Sequence, residues 1–291
     1  MVCSWSIFFT NHVWNEIASC TFQEYKSENR PDKCDYQDAQ CQYVTSDHAG
    51  TVVDCEVRRK GSASWRDLHV RPSFKIKKMK LNGDAYPFAA DWVTKKVTLN
   101  NGVQKPFADA EVEAYDVFRK LDVKAPLAQL CSVSLYRDGV LFSTEEDYTM
   151  IETISDDAFM EKHFGDRWML WEVETGTVEC KRSSPDDLCD DDATDIEGLT
   201  LDDVDKTEMI NYFVGERLTS HTDSACLRYF QDGNNYYVAK WYALNGSRAH
   251  YTYIPSGVDQ TFKCLHQYVA VFPTCEPMTQ CFENTDCYAL Y

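Results

Sequence analysis

The stretch over residues 221–262 holds the side chains best suited to chemistry. Asp223 directly follows a helical pattern. Asn234 and Asn235 open the strand-like run that comes next, and Asp259 stands after a second such run. Mg²⁺ prefers oxygen ligands, and the attacking hydroxyl of a phosphoryl transfer needs an orienting carboxylate. These residue types therefore predict a metal and phosphate site, the alternative being that they are ordinary turn residues.

A β-hairpin must bring these residues together, because they lie far apart in the sequence. The runs 236–244 and 248–255 are rich in aromatic and apolar residues. Asn245 and the Gly and Ser that follow it separate the runs, which predicts a hairpin turn. The same three residues form an N-glycosylation sequon. Residues 202–218 have apolar positions at helical spacing and lead into the stretch, so we expect both acids and an asparagine within reach of one another.

Two upstream strands carry the basic residues that a phosphate needs. The run 51–60 contains Arg58 and is followed by a glycine and serines, a composition that allows close backbone approach to a phosphate. Over residues 72–79 the apolar side chains fall on one side of a strand, and Lys75 and Lys77 fall on the other. If the apolar side is core, the lysines point into a cleft. A solvated basic surface is the alternative for both strands.

Several blocks of the chain follow a recognisable order. The sequence reads VRRKGSAS and RPSFKIK in its first part, and HTDS, NNYY and IPSGVDQTF in its last part. These blocks resemble V-R-x-K-G-x-S-S, K-x-S-F-K-I-K, H-W-D-G, N-N-Y-Y-L-Y and I-P-W-G-x-D-Q-T-F of the CotH family, the spore-coat-protein-H kinases of atypical protein-kinase-like fold. With the central block of helix, strand, turn, strand and helix, the resemblance covers most of residues 40–290.

The resemblance implies an α+β fold with two lobes, atypical protein-kinase-like and stapled by disulfides. Its N-lobe would be a mainly antiparallel sheet and its C-lobe would be mixed. The predicted boundaries are an N-terminal arm at 1–36, the N-lobe at 37–153 and the C-lobe at 154–291. The C-lobe would carry the metal site and a cysteine-rich end.

The resemblance also implies a role for each acidic and amide residue of the site. Asp223 would orient the acceptor hydroxyl, and Asp259 would be the principal ligand of Mg²⁺ or Mn²⁺. Asn234 or Asn235 would help to hold the metal. The predicted function is a secretory-pathway or extracellular protein kinase that moves the γ-phosphoryl group of ATP to Ser or Thr hydroxyls.

The nucleotide-binding candidates lie in the N-lobe. Lys75 or Lys77 would bridge the phosphates of ATP, with Arg71 as the alternative, and Arg58 would add positive charge. Glu152 ends a predicted strand where the two lobes would join, near the expected nucleotide base. A capping or surface role for Glu152 remains open.

The composition limits the classes of partner that the protein is expected to bind. With 47 Asp and Glu against 29 Lys and Arg, nucleic acid and anionic membrane surfaces are poor partners, and a nucleotide needs a local basic patch plus a metal. No apolar run is long enough to span a membrane. Expected partners are a protein substrate or an extracellular assembly partner.

Thirteen cysteines, scattered rather than paired in knuckles, favour disulfides in an oxidising compartment over a zinc site. We therefore predict a secreted protein, or one of the secretory-pathway lumen. The odd count leaves at least one thiol free or bonded to another chain, and the spacing leaves the connectivity open. One expected group comprises Cys20, Cys34, Cys41 and Cys55, and the other comprises Cys264, Cys275, Cys281 and Cys287.

A second hypothesis is a catalytically inactive CotH-like protein with a structural, coat or adhesion role. Thr222 and Ser256 both stand where the family prefers Trp. A longer segment containing Cys226 also separates the first acid from the asparagines. The proposed ligands are therefore present, while the residues that would pack around them differ.

Overall fold

The structure is a computed structural model, and the chain divides into two compact units. One comprises residues 1–112 and 127–156, and the other comprises 113–126 and 157–291. The described residues are 3–45, 50–86, 88, 91–174, 177–184, 203–221, 235–242 and 249–262.

Seven described strands of the first unit close into a barrel, in the order β1-β2-β3-β4-β7-β9-β8. Their bounds are β1 (Cys3–Phe9), β2 (Gln37–Val44), β3 (Val53–Lys60), β4 (Ser73–Lys77), β7 (Val97–Asn100), β8 (Ala128–Arg137) and β9 (Val140–Glu152). A separate pair is formed by β5 (Lys80–Leu81) and β6 (Asp84–Ala85). Strand β1 runs antiparallel to β2 and parallel to β8, and this parallel pairing closes the barrel.

The barrel core follows from alternation along the strands. In β1, Cys3, Trp5, Ile7 and Phe9 are buried while the residues between them are partly exposed. Successive side chains of a strand point to opposite faces, so one face of β1 fills the barrel. Two helices, α1 (Asn11–Ser19) and α2 (Phe22–Lys26), follow β1. Each begins after a threonine whose hydroxyl accepts a hydrogen bond from the first turn.

The second unit is built on an antiparallel sheet of four described strands, in the order β11-β10-β12-β13. These strands are β10 (Trp168–Glu174), β11 (Thr177–Ser183), β12 (Tyr236–Tyr242) and β13 (Ala249–Pro255). The helices are α3 (Ala110–Lys120), which begins in the first unit, α4 (Asp157–Phe164) and α5 (Lys206–Thr219). The ring of Tyr212 on α5 lies 5.4 Å from that of Tyr253 on β13. Gly215 has no side chain, which leaves room for the Phe118 ring of α3.

The predicted two-lobed, kinase-like fold is wrong. The first unit is a closed barrel rather than an open N-lobe sheet. The described part of the second unit has an antiparallel sheet and few helices, where a mixed C-lobe is expected. The physical reason lies within residues 1–36, which the prediction treats as an arm: β1 supplies the strand that joins β2 to β8 and removes both edges of the sheet.

The prediction of disulfide bonds is confirmed. Among the described cysteines the bridges are Cys3–Cys131, Cys20–Cys34 and Cys41–Cys55, and Cys180 is also disulfide-bonded. The four cysteines expected as an N-terminal group thus pair with one another. The C-terminal group and Asn245 lie outside the described residues. Disulfides fit an extracellular or secreted protein, and none of the described helices is long and apolar enough to cross a membrane.

The Cys3–Cys131 bridge should contribute more to stability than the Cys20–Cys34 bridge. The first closes a loop with a sequence separation of 128 residues and the second one of 14. In the chain-entropy account, removing them should cost about 5 and about 3 kcal/mol. Urea denaturation of the two double Cys→Ser variants would measure the difference. Equal losses in the free energy of unfolding would show that the Cys3–Cys131 bridge contributes little to barrel closure.

Candidate functional site

The segment that carries Asp259 is attached to the end of helix α5. The backbone N–H of Phe262 donates to the carbonyl oxygen of Thr219 at 2.7 Å. At the other end of the segment, the His221 Nε2 atom lies 3.3 Å from the Gly257 carbonyl oxygen. Both ends of the Gly257–Phe262 segment therefore contact the last residues of the helix or the residue just after it.

Asn235 joins the same place from the start of β12. Its carbonyl oxygen accepts a hydrogen bond from the Ser256 N–H at 3.1 Å. Gly257 has φ of +59°, and a Cβ there would lie 2.8 Å from the Asn235 Oδ1 atom. A left-handed backbone and so close an approach both require glycine. The structure thus brings together three parts of the predicted site, His221, Asn235 and the segment with Asp259.

The chemistry of this cluster is that of oxygen ligands. Asp259 lies in a 3₁₀ turn at Val258–Gln260 and is 8% exposed. Its carboxylate and the Asn235 amide are the described groups that fit Mg²⁺. No group of three or more His, Cys, Asp or Glu side chains able to hold a metal occurs among the described residues. Mg²⁺ bound together with phosphates needs only one or two protein carboxylates.

Two of the predicted site residues, Asp223 and Asn234, lie outside the described residues. Their roles stay predictions. The described members of the predicted metal site are Asn235 and Asp259, which come from different strand ends and share a contact region around Gly257.

Glu216 is a buried acid that the sequence analysis did not single out. Its Oε1 atom lies 3.2 Å from the His221 Nδ1 atom, and the residue is 2% exposed. Burial, and then the negative charge of Glu216, raise the pKa of Tyr236 to about 12. The same two causes raise the pKa of Tyr212 well above its ordinary value. Its position in the sequence indicates this burial, because Glu216 falls on the face of α5 that holds Tyr212 and Phe213.

The predicted phosphate-binding cations lie on the outer face of the barrel. Arg58 on β3 is the register partner of Lys75 on β4, and Lys77 follows on the same face. The residues that alternate with them, Val57 and Ile76 among others, are buried in the core. Arg58 and Lys75 are therefore neighbouring cations on this face.

Arg58 and Lys77 share an aromatic neighbour. The Lys77 Nζ atom lies 3.7 Å from the centre of the Tyr36 ring and 3.1 Å from Glu56 Oε2. The Arg58 guanidinium lies 4.7 Å over the same ring and 3.6 Å from Asp35 Oδ1. Local carboxylates therefore offset part of both charges. Lys75 pairs in register with Arg58 of β3 on one side and with Thr98 of β7 on the other.

Glu152 and Arg71 both contact the backbone. The Glu152 carboxylate accepts from the Val93 N–H at 3.1 Å and from the Leu127 N–H at 3.0 Å, and the residue is 2% exposed. Arg71 donates to the carbonyl oxygen of Glu146, and its guanidinium lies 5.3 Å from the Tyr148 ring centre. The Glu152 carboxylate thus fixes two chain segments at the end of β9, and its nucleotide role stays a prediction.

Comparison with models of known protein families gave no match, and a search of curated proteins found no significant relative. The resemblance to the CotH family therefore stays a prediction.

Gly257→Ala should destabilise the protein more than Gly139→Ala does. Both glycines have positive φ, +59° and +77°, but a Cβ meets Asn235 at Gly257 and meets nothing within 4 Å at Gly139. The backbone change should cost about 1–2 kcal/mol at each position, and the contact should add about 1–3 kcal/mol at Gly257. Urea denaturation measures both. Equal losses would mean that Asn235 does not pack against this segment.

Proposed function

We propose that this protein is a Mg²⁺- or Mn²⁺-dependent phosphotransferase of the secretory pathway or extracellular space. It moves the γ-phosphoryl group of ATP to Ser or Thr hydroxyls of a protein substrate. The observation that carries the proposal is the convergence of His221, Asn235 and the Asp259 segment, which come from three separate blocks of the sequence. The proposal does not need a kinase-like architecture, because chemistry belongs to the site rather than to the fold.

The residues fit a divalent metal by the chemistry of their donors. Asp259 and Asn235 offer carboxylate and amide oxygens, and the absence of a side chain at Gly257 leaves room for the Asn235 amide beside the segment that carries Asp259. When bound, the metal supplies positive charge for the phosphate oxygens. Asp223 is proposed to orient the acceptor hydroxyl. Catalysis of this kind depends mainly on positioning and charge neutralisation.

Charge explains why nucleotide binding should depend on the metal. The formal net charge is −18, so free ATP is repelled at long range. Arg58 and Lys75, which are neighbours in the register of β3 and β4, are the proposed source of local positive charge. Lys75 is the proposed phosphate contact.

Asp259→Asn tests the proposal with little change in shape. The substitution removes charge from the metal ligand, so transfer to a protein acceptor should fall roughly 100-fold or more. The rise in melting temperature on adding ATP with Mg²⁺ should disappear as well, since only bound ligand stabilises. Asp166→Asn, at an exposed position of the same unit, is the matched control and should change neither result. Full metal-dependent activity in Asp259→Asn would contradict the proposal.

A second candidate is an extracellular structural or adhesion protein without catalysis. The observation that favours it is an exposed apolar run at the start of β9, where Val140, Leu141 and Phe142 are 69%, 53% and 43% exposed. Exposed apolar side chains in sequence are typical of contact surfaces. Disulfide bonds within the barrel would suit such a role. A wild-type protein whose melting temperature does not respond to ATP with Mg²⁺ or Mn²⁺ would favour this candidate.

A further inference from the structure

Each ring nitrogen of His221 faces a hydrogen-bond acceptor. Nδ1 lies 3.2 Å from the Glu216 Oε1 atom, and Nε2 lies 3.3 Å from the Gly257 carbonyl oxygen. A neutral imidazole carries one N–H, whereas an imidazolium carries two. Only the charged form can donate to both acceptors at once.

The surroundings of the ring also favour the charged form. His221 is 0% exposed and Glu216 is 2% exposed. A buried carboxylate without a counter-charge is costly, so an adjacent imidazolium stabilises it. His221 also stands next to Ser220, the C-cap of α5, where the helix dipole favours a cation.

The other ionisable groups near the pair do not compete for this role. Tyr212 on α5, Tyr236 on β12 and Tyr253 on β13 all have a raised pKa because they are buried, so these phenols stay neutral. Asp259 is the ionisable side chain of the Gly257–Phe262 segment, and its negative charge would add to the need for a cation.

We propose that Glu216 and His221 form a buried ion pair that holds the Gly257–Phe262 segment against the end of α5. Glu216 is then a positioning residue for Asp259, acting through His221 and the Gly257 carbonyl. The ion pair stands on the contacts above. Its effect on metal binding rests on the proposed function.

The charge of His221 can be measured without any ligand. ¹⁵N NMR of histidine-labelled protein near neutral pH should show protons on both ring nitrogens of His221, with the signals assigned by their loss in His221→Gln. A neutral ring with one proton in the wild-type protein would overturn the ion pair. This result does not depend on whether the protein transfers phosphate.

The positioning role is tested by Glu216→Gln, with Glu208→Gln as the matched control. Glu208 is on the same helix and accepts from Lys124 and Thr252 at 2.8 Å and 2.7 Å, so its substitution also breaks an ion pair. Hydrogen exchange at the Phe262 amide, which donates to Thr219, should accelerate in Glu216→Gln and stay unchanged in Glu208→Gln. Equal exchange in both variants would overturn the positioning role.

Metal affinity separates this inference from the proposed function. Mn²⁺ binding, followed by electron paramagnetic resonance, should weaken roughly 10–100-fold in Glu216→Gln, as for other residues that orient a metal ligand. Wild-type-like affinity in that variant would count against the positioning role. If the wild-type protein binds no Mn²⁺, the proposed function is wrong. The charge of the His221 ring and the exchange rate of the Phe262 amide then still test the ion pair and its positioning role. If Glu216→Gln does not fold, the ¹⁵N measurement on the wild-type protein decides it.

Discussion

The candidate site depends on how the chain is attached at the end of helix α5. The helix ends at Thr219, and its C-cap residue Ser220 adopts a left-handed conformation with φ of 48° that leads the chain to His221. From there the Gly257 carbonyl and the Phe262 N–H are both within hydrogen-bond distance. The 3₁₀ turn between these two contacts carries Asp259. These two contacts therefore hold Asp259 in a defined position, and a metal ligand needs a defined position.

In the first unit, strands that lie far apart in the sequence close into one barrel. Strand β1 is placed between β2 and β8, and Cys3 and Cys131 are direct register partners with Cα atoms 4.5 Å apart. Closure buries one alternating face of β1 and β3 and leaves Arg58 and Lys75 on the outer face. Arg58 and Lys75 lie side by side outside the core, because the residues next to them in the sequence point into it.

Local patterns could be predicted from the sequence, and non-local pairing could not. The strand that carries Lys75, the helix leading to His221 and the strands on either side of Asn245 follow from periodicity, and each appears in the structure. Barrel closure depends on a parallel pairing across more than a hundred residues, although the alternation in Cys3–Phe9 was a visible sign of a strand. Glu216 was overlooked because an acid on a helix is usually solvated, and only packing shows that it meets His221. The family resemblance predicted lobes, and the closed barrel contradicts that architecture.

The central claim is that Asn235 and Asp259 form a metal site for phosphate transfer. The most direct test is a crystal structure of the protein with Mn²⁺ and a non-hydrolysable ATP analogue, in which anomalous scattering locates the metal. The account predicts a peak within about 2.2 Å of an oxygen atom of Asp259, with a phosphate oxygen on the same ion. Ordered density for Asp259 with no metal beside it, at saturating Mn²⁺ and nucleotide, would contradict the account.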